Sequence, residues 1–476
     1  MRYETVIGLE VHVELATKSK IFCSCGTAFG SGQNNNVCPA CCGMPGMLPV
    51  TNKKVVELGM RAGMLTNCRI NRYTTFDKKS YYYPDLPTSY QITQWFSPIC
   101  VDGGVEIETS KGKKVIGIKQ IHMEEDAGKL VHDDWSDTSL VDYNRTSVPL
   151  IEIVSRPDLN SVEEVVAYLD KLKTLLRFAR VSDCKMEEGS MRCDVNLSIR
   201  PEGSTELGVR TEMKNMNSIT AISKAIEYEV ARHIDALERG TEVLVQETRR
   251  WDDVKNRSFS MRSKEMAADY RYFPDPNLAP IIIDDEWFNS VKDSLPELPN
   301  VKKERYISEL GLSETDASII TSSRALCDAF EGAVEVSGSA KDTANWILGD
   351  CMSILRQKKL SADELDIDPV KLGTIVKMVA EGKIVRVAGK KALQAVFDED
   401  ADPVQYCKEN GLDSVSNTGE IEEAVKRVLD ANEATVAKYK NGETKVKNAL
   451  FGQVMKELKG KADPATIQSI LAKLLD

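Results

Sequence analysis

No stretch of this 476-residue sequence approaches the roughly 18 apolar residues of a membrane-spanning helix. The opening MRYETVIG has no apolar signal-peptide core, so the expected location is the cytoplasm. In that compartment the 12 cysteines are not expected to form a disulfide framework. A general excess of positive charge is also missing. The net charge of −11 argues against a broadly basic nucleic-acid binder, though it leaves room for a local basic patch. There is no Walker-type GxxxxGK[ST] loop and no kinase glycine loop, so any ATP site is of another kind. Internal repeats and low-complexity tracts are absent as well, which leaves ordinary globular domains.

The length is too great for one compact core, and two to four domains are expected. The first 294 residues mix strands and helices. NSVEEVVAYLDKLKTLLRFAR opens with Ser161 and Glu164 at capping-box spacing. SITAISKAIEYEVARHIDALERG runs from Ser218 to a stop at Gly240. SLPELPN is a proline-punctuated connector, and residues 295–402 read as short helices with polar turns. The acidic break DEDADP precedes a small all-helical unit, 403–476. The fold class is therefore α+β: a mixed N-terminal domain with a largely antiparallel sheet, then a helical domain, then a helical tail.

In GLEVHVEL, Leu9, Val11, Val13 and Leu15 alternate with Glu10, His12 and Glu14. Strict alternation predicts a half-buried strand. MRCDVNLSIR repeats the design: Arg192, Asp194, Asn196, Ser198 and Arg200 share one face. In VRTEMK, Arg210, Glu212 and Lys214 do the same. PLIEIV sets Glu152 inside an apolar run, where a carboxylate is costly unless it is paired or binds a metal. HMEEDAGK stacks Glu124, Glu125 and Asp126 beside a glycine turn. A solvated sheet face accounts for this pattern. So does a site in which Mg²⁺ or Mn²⁺ neutralises clustered carboxylates for phosphoryl transfer from a nucleotide.

Cys23, Cys25, Cys38 and Cys41 give C-x-C-x₁₂-C-x₂-C, which suits a structural tetrahedral Zn²⁺, although Cys42 competes with Cys41 for the fourth place. Near the end, seven lysines from Lys438 to Lys461 face only Glu443 and Glu457. Of the remaining histidines, His233 reads as a surface residue, His132 has no assigned role, and His122 is a candidate loop anchor.

YETVIGLEVHVEL, FDKKSYYYPDLP, HMEEDAGK, DYNRTSVPLIEIVSRPD, VSDCKMEEGSMRCDVNLSIRP, RTEMKNMNS, QETRRW and DYRYFPDPNL together resemble the B-subunit family of aspartyl/glutamyl-tRNA amidotransferases. NALFGQVMKELKGKADP is similar to that family's YqeY-like tail, and the resemblance runs through the whole chain. It implies ATP- and Mg²⁺-dependent phosphorylation of the side-chain carboxylate on Glu-tRNA(Gln) or Asp-tRNA(Asn). Ammonia then enters by a tunnel from the amidase subunit, and a small third subunit completes a heterotrimer.

By the family motifs, Glu10, His12 and Glu125 are expected at the magnesium, with Glu152 and Glu212 as further acidic members. Lys79, Tyr81, Arg192, Asp194, Asn196 and Lys214 are expected along the ammonia path. Lys445, Lys447, Lys456, Lys459 and Lys461 are expected to meet tRNA. Thr88 stands where the family often has lysine, NRTSVP replaces NRAGVP, and GKIVRVAGKKAL departs from the usual helix. Only some members carry the four cysteines, so zinc is not required for the chemistry. The competing readings are a non-catalytic tRNA scaffold and an amidotransferase for a non-tRNA acid. Retention of the five acidic and histidine positions opposes the first, and the basic tail opposes the second.

Overall fold

A computed structural model describes residues 2–132, 138–263, 270–412, 418–440, 446–458, 462 and 464–475. The chain forms two compact units, Met1–Pro296 and Glu297–Asp476.

The strands of the first unit are β1 (Tyr3–Glu14), β2 (Arg69–Ile70), β3 (Tyr73–Thr74), β4 (Asp77–Ser80), β5 (Tyr90–Thr93), β6 (Cys100–Thr109), β7 (Gly112–Glu125) and β8 (Lys129–His132). They continue with β9 (Ser139–Asp142), β10 (Pro149–Ser155), β11 (Met191–Pro201), β12 (Thr211–Lys214), β13 (Glu247–Asp252), β14 (Arg257–Ser263), β15 (Arg271–Pro274) and β16 (Ile281–Ile282). Nine of them make one sheet in the order β14-β13-β12-β11-β1-β10-β7-β6-β2. Every pair in it is antiparallel except β12 with β13.

The first strand of the chain is thus the middle strand of the sheet. Leu9, Val11 and Val13 are buried on one face, as the alternation requires. Helices α1 (Lys53–Leu65), α2 (Val162–Phe178) and α3 (Ile219–Arg239) pack against the sheet. Burying each such aliphatic side chain is worth about 1.5–3 kcal/mol, so this layer outweighs any single polar contact in holding the sheet.

Both expected helix starts occur. Ser161 Oγ accepts from Glu164 N, and Ser218 Oγ from Ala221 N. The Glu164 carboxylate accepts instead from Asn160 N and Lys114, one residue away from a regular capping box. Helix α3 stops at Gly240, whose φ of 63° is left-handed. A second, three-stranded sheet, β15-β4-β5, pairs Tyr272 with Lys79 and Lys79 with Gln91.

The described elements of the second unit are helical, with one π-helical turn at Trp346–Cys351. Pro403–Glu409, just past the expected boundary at 402, packs on the helices Pro369–Ala380 and Arg386–Glu399. Further on, Ile421, Val425, Leu450, Val454, Ile467 and Leu471 form an apolar cluster of their own. No helix among the described residues is long and apolar enough to cross a membrane.

Candidate active site

The polar face of the large sheet carries two adjoining groups. Register decides their membership. His12 lies opposite Glu152 on β10, and Glu152 lies opposite His122 on β7. Leu150 faces Glu124, so His122 and Glu124 share the parity of His12. The outcome is a cluster of His12, Glu124 and Glu152, with His122 behind it. His12 Nε2 is 3.6 Å from Glu124 and 3.7 Å from Glu152. His122 Nε2 is 2.8 Å from Glu152 and 3.5 Å from Glu124.

On the other side of β1, Glu10 faces Asp194, and Asn196 faces Glu212. Asn196 Nδ2 donates to Glu10 Oε1 at 2.9 Å. Lys214 bridges Asp194 and Glu212, at 2.9 Å from the latter. In each triad, His12–Glu124–Glu152 and Glu10–Asp194–Glu212, the ligand atoms lie within 4.8 Å of one another. Hard oxygens with at most one imidazole are a donor set for Mg²⁺.

The electrostatics follow from burial and pairing. Burial works against charge on His122, but Glu152 and Glu124 overcome it and hold the imidazolium up to about pKa 10. Burial also opposes the Glu152 charge, yet His122, His12 and Lys79 hold its carboxyl well below the usual range. Glu10 is pushed up by burial and by Glu152 and Glu212, against the Asn196 hydrogen bond. A further positive charge beside Glu10 would offset both the burial and the two repulsions.

Glu125, expected beside Glu10 and His12, is not brought to them. It faces Pro149 and has the opposite parity from Glu124. Its carboxylate accepts from Ile92 N at 2.8 Å and Ser147 Oγ at 2.6 Å. It lines a cavity of about 120 Å³ together with Thr88, Tyr90, Ser147, Cys23 and Cys41. Burial pushes its pKa up to about 7, against the Ser147 hydrogen bond.

The residues expected on the ammonia path separate. Asp194, Asn196 and Lys214 join the Glu10 group. Arg192 donates to Asp126 at 3.0 Å, farther along the same face. Lys79 sits 4.8 Å from the Tyr270 ring and within electrostatic reach of Glu152, and Tyr81 meets Tyr270 edge-on.

His122 and Glu124 are the members that sequence reasoning missed. HMEE itself separates 122 and 124 from 125 by alternation, but which of the two faces meets His12 is set by the register with β10. His233 is a correction. It is buried, not superficial, with Nε2 2.9 Å from Thr211 Oγ1. Burial, Arg232 and Arg249 lower its pKa to about 4. Helix α3 turns this residue toward the sheet although its neighbours in sequence are charged.

Cys23, Cys25, Cys38 and Cys41 bring their sulfurs within 4.8 Å of one another, and Cys42 is outside that group. Cys38 N donates to Cys41 Sγ at 3.2 Å, and the Cys38 and Cys41 sulfurs are 3.8 Å apart. Buried Lys20 puts Nζ 3.7 Å from Cys41 Sγ and donates to Tyr143 O at 3.2 Å. Four thiols in this arrangement fit a closed tetrahedral Zn²⁺. In the tail, Lys456 is exposed and Lys447 half-buried on the helix Lys447–Glu457. Lys445, Lys459 and Lys461 lie outside the described residues.

Comparison with known proteins fits this picture of a catalytic sheet domain followed by helices. Residues 5–289 match the family described as the GatB/GatE catalytic domain, and residues 328–475 match the GatB domain. The chain is 52% identical to the B subunit of the aspartyl/glutamyl-tRNA(Asn/Gln) amidotransferase of Agathobacter rectalis, over 99% of each chain. It is 52% identical to the protein of that name in Caldicellulosiruptor bescii and 50% identical to that in Thermoanaerobacter pseudethanolicus, each over 100% of both chains. The chain belongs to the family of aspartyl/glutamyl-tRNA amidotransferase B subunits.

Proposed function

We propose that this chain is the kinase and transamidase component of a glutamine-dependent tRNA amidotransferase. It phosphorylates the side-chain carboxylate of Glu-tRNA(Gln), Asp-tRNA(Asn) or both, using ATP, and an ammonia molecule then displaces phosphate to give the amide. The observation that carries this reading is the pair of triads on one sheet face, His12–Glu124–Glu152 and Glu10–Asp194–Glu212. Two neighbouring oxygen-rich groups suit the opposed anions of a carboxylate and a triphosphate.

When bound, Mg²⁺ would neutralise phosphate oxygens and screen the attacking carboxylate. His12, Glu124 and Glu152 would hold one ion, and Glu10, Asp194 and Glu212 a second. His122 keeps Glu152 ionised and oriented. Lys79 and Lys214 supply positive charge at opposite ends of the face. Arg192, Asp194 and Asn196 alternate along β11, and with Lys79, Tyr81 and Lys214 they offer hydrogen-bonding partners to ammonia supplied by the amidase subunit. A small third subunit completes the proposed heterotrimer. The four-cysteine loop holds a structural zinc. A helical domain, 295–402, and a tail, 403–476, grip tRNA, with Lys445, Lys447, Lys456, Lys459 and Lys461 as the proposed phosphate contacts. The location is the cytoplasm.

Glu152→Gln tests the reading in the assembled enzyme. The amide keeps the shape and loses the charge, so amidation of misacylated tRNA should fall on the order of a thousandfold, with tRNA affinity little changed and the native fold retained at a lower melting temperature, because His122 loses its charged partner. The wild-type enzyme should hydrolyse ATP in response to misacylated tRNA but not free glutamate. Substantial Gln-tRNA(Gln) or Asn-tRNA(Asn) synthesis by Glu152→Gln at saturating Mg²⁺ would remove this face from the chemistry.

A further inference from the structure

Beside the His12–Glu124–Glu152 group lies a set of aromatic side chains that the phosphoryl-transfer reading leaves unused. Trp95 and Tyr272 stack with ring centres 4.3 Å apart and planes 17° from parallel. Trp95 is nonetheless 54% exposed, and its neighbour Phe96 is 60% exposed. A large indole held flat by one partner and left open to solvent is unusual for a residue whose only task is packing.

The platform's position is fixed by the small sheet. Tyr272 pairs with Lys79 across β15 and β4, and Lys79 pairs with Gln91 on β5. Two residues beyond Gln91, Thr93 Oγ1 donates to Glu124 at 3.3 Å. Lys79 acts on Glu152, and the Tyr272 phenol feels both Glu152 and Glu124. The stacked pair therefore borders the carboxylates of the first triad.

We propose that Trp95 and Tyr272 form a stacking platform for the terminal adenine of the acylated tRNA. The proposal rests on the reaction proposed above. The carboxylate to be phosphorylated is carried on the ribose of that same terminal nucleotide. When the carboxylate is at the triad, the base is one nucleoside away. Single-stranded ends are held by stacking on exposed aromatic rings, because every base offers a flat face and needs no groove. The Glu10–Asp194–Glu212 group, with Lys214 beside it, is left for the triphosphate.

The test uses the assembled enzyme and misacylated tRNA whose terminal adenine is replaced by 2-aminopurine. Binding to wild-type enzyme should quench the 2-aminopurine fluorescence. Trp95→Ala and Tyr272→Leu should lose that quenching and raise KM for misacylated tRNA by roughly tenfold. Their kcat and KM for ATP should stay near the wild-type values, and Trp95→Phe should restore most of the affinity. Unchanged quenching and KM in both variants would overturn the platform. A rise in KM for ATP alone would overturn it in favour of ATP's own adenine. A wild-type enzyme that forms no amide in this assay would instead sink the reaction on which the inference depends. Trp95→Phe, which keeps a ring, guards against a folding failure in the alanine variant.

Discussion

The sheet face of the first unit and the tail helices of the second handle charge in opposite ways. In the first, ionisable groups are drawn in and paired: His122 with Glu152, Lys214 with Asp194 and Glu212, Arg192 with Asp126. In the second, Lys456 is exposed and Lys426 meets Glu422 one helical turn away, in water. Buried pairs are rigid, and losing one partner is costly. Exposed charges on helices contribute little to stability and stay available to a polyanion. The contrast separates a region built to hold a few atoms in register from one suited to meeting a long, repetitive ligand.

The largest expected effect comes from the cysteine loop, where a metal would do the holding. The purified protein should contain about one Zn²⁺ per chain by metal analysis. Stripping it with a chelator should lower the stability of the first unit by on the order of 5 kcal/mol and leave the second unit's transition in place. Zinc-free protein purified without chelator, or a melting profile indifferent to chelation, would count against the assignment.

Next is His122→Asn, which breaks a buried pair. The His122 pKa is raised on folding, from 6.5 to about 10. Its stabilising contribution is therefore complete below pH 6.5 and is lost as pH rises toward 10. At pH 6 the variant should be less stable by about 3 kcal/mol. The gap should narrow steadily in denaturation curves recorded at increasing pH. A constant gap would mean that the pair is not ionised.

The smallest effect on stability is expected in the second unit. Lys447→Ala with Lys456→Ala should change the melting free energy by no more than about 0.5 kcal/mol per site. The salt dependence of tRNA binding should nevertheless flatten by roughly one ion per lysine removed. If tRNA affinity and its salt slope were both unmoved, these lysines would be ordinary solvated residues.

Much of the first unit is legible in the sequence because strands alternate. The period in GLEVHVEL and MRCDVNLSIR is enough to put Glu10, His12, Asp194 and Asn196 on one face. The caps at Ser161, Ser218 and Gly240 are legible for a related reason: each acts within a few residues. The choice between Glu124 and Glu125 needs the register with Pro149 and Leu150, which is a non-local fact. So does the small sheet, since nothing near FDKKS announces that RYFP pairs with it. His233 reads as superficial because the charges around it in sequence say nothing about which side of α3 the sheet covers.

The central place of β1 also bears on how the protein is made. It leaves the ribosome well before its neighbours in the sheet, β10 and β11. Leu9 N bonds Ser155 Oγ across 146 residues. Until those partners are synthesised, a strand with an apolar face and two free edges has nothing to pair with. Long-range pairing of this kind folds slowly and leaves aggregation-prone surface exposed meanwhile. The nascent chain is thus expected to depend on a holding chaperone more than its final stability would suggest.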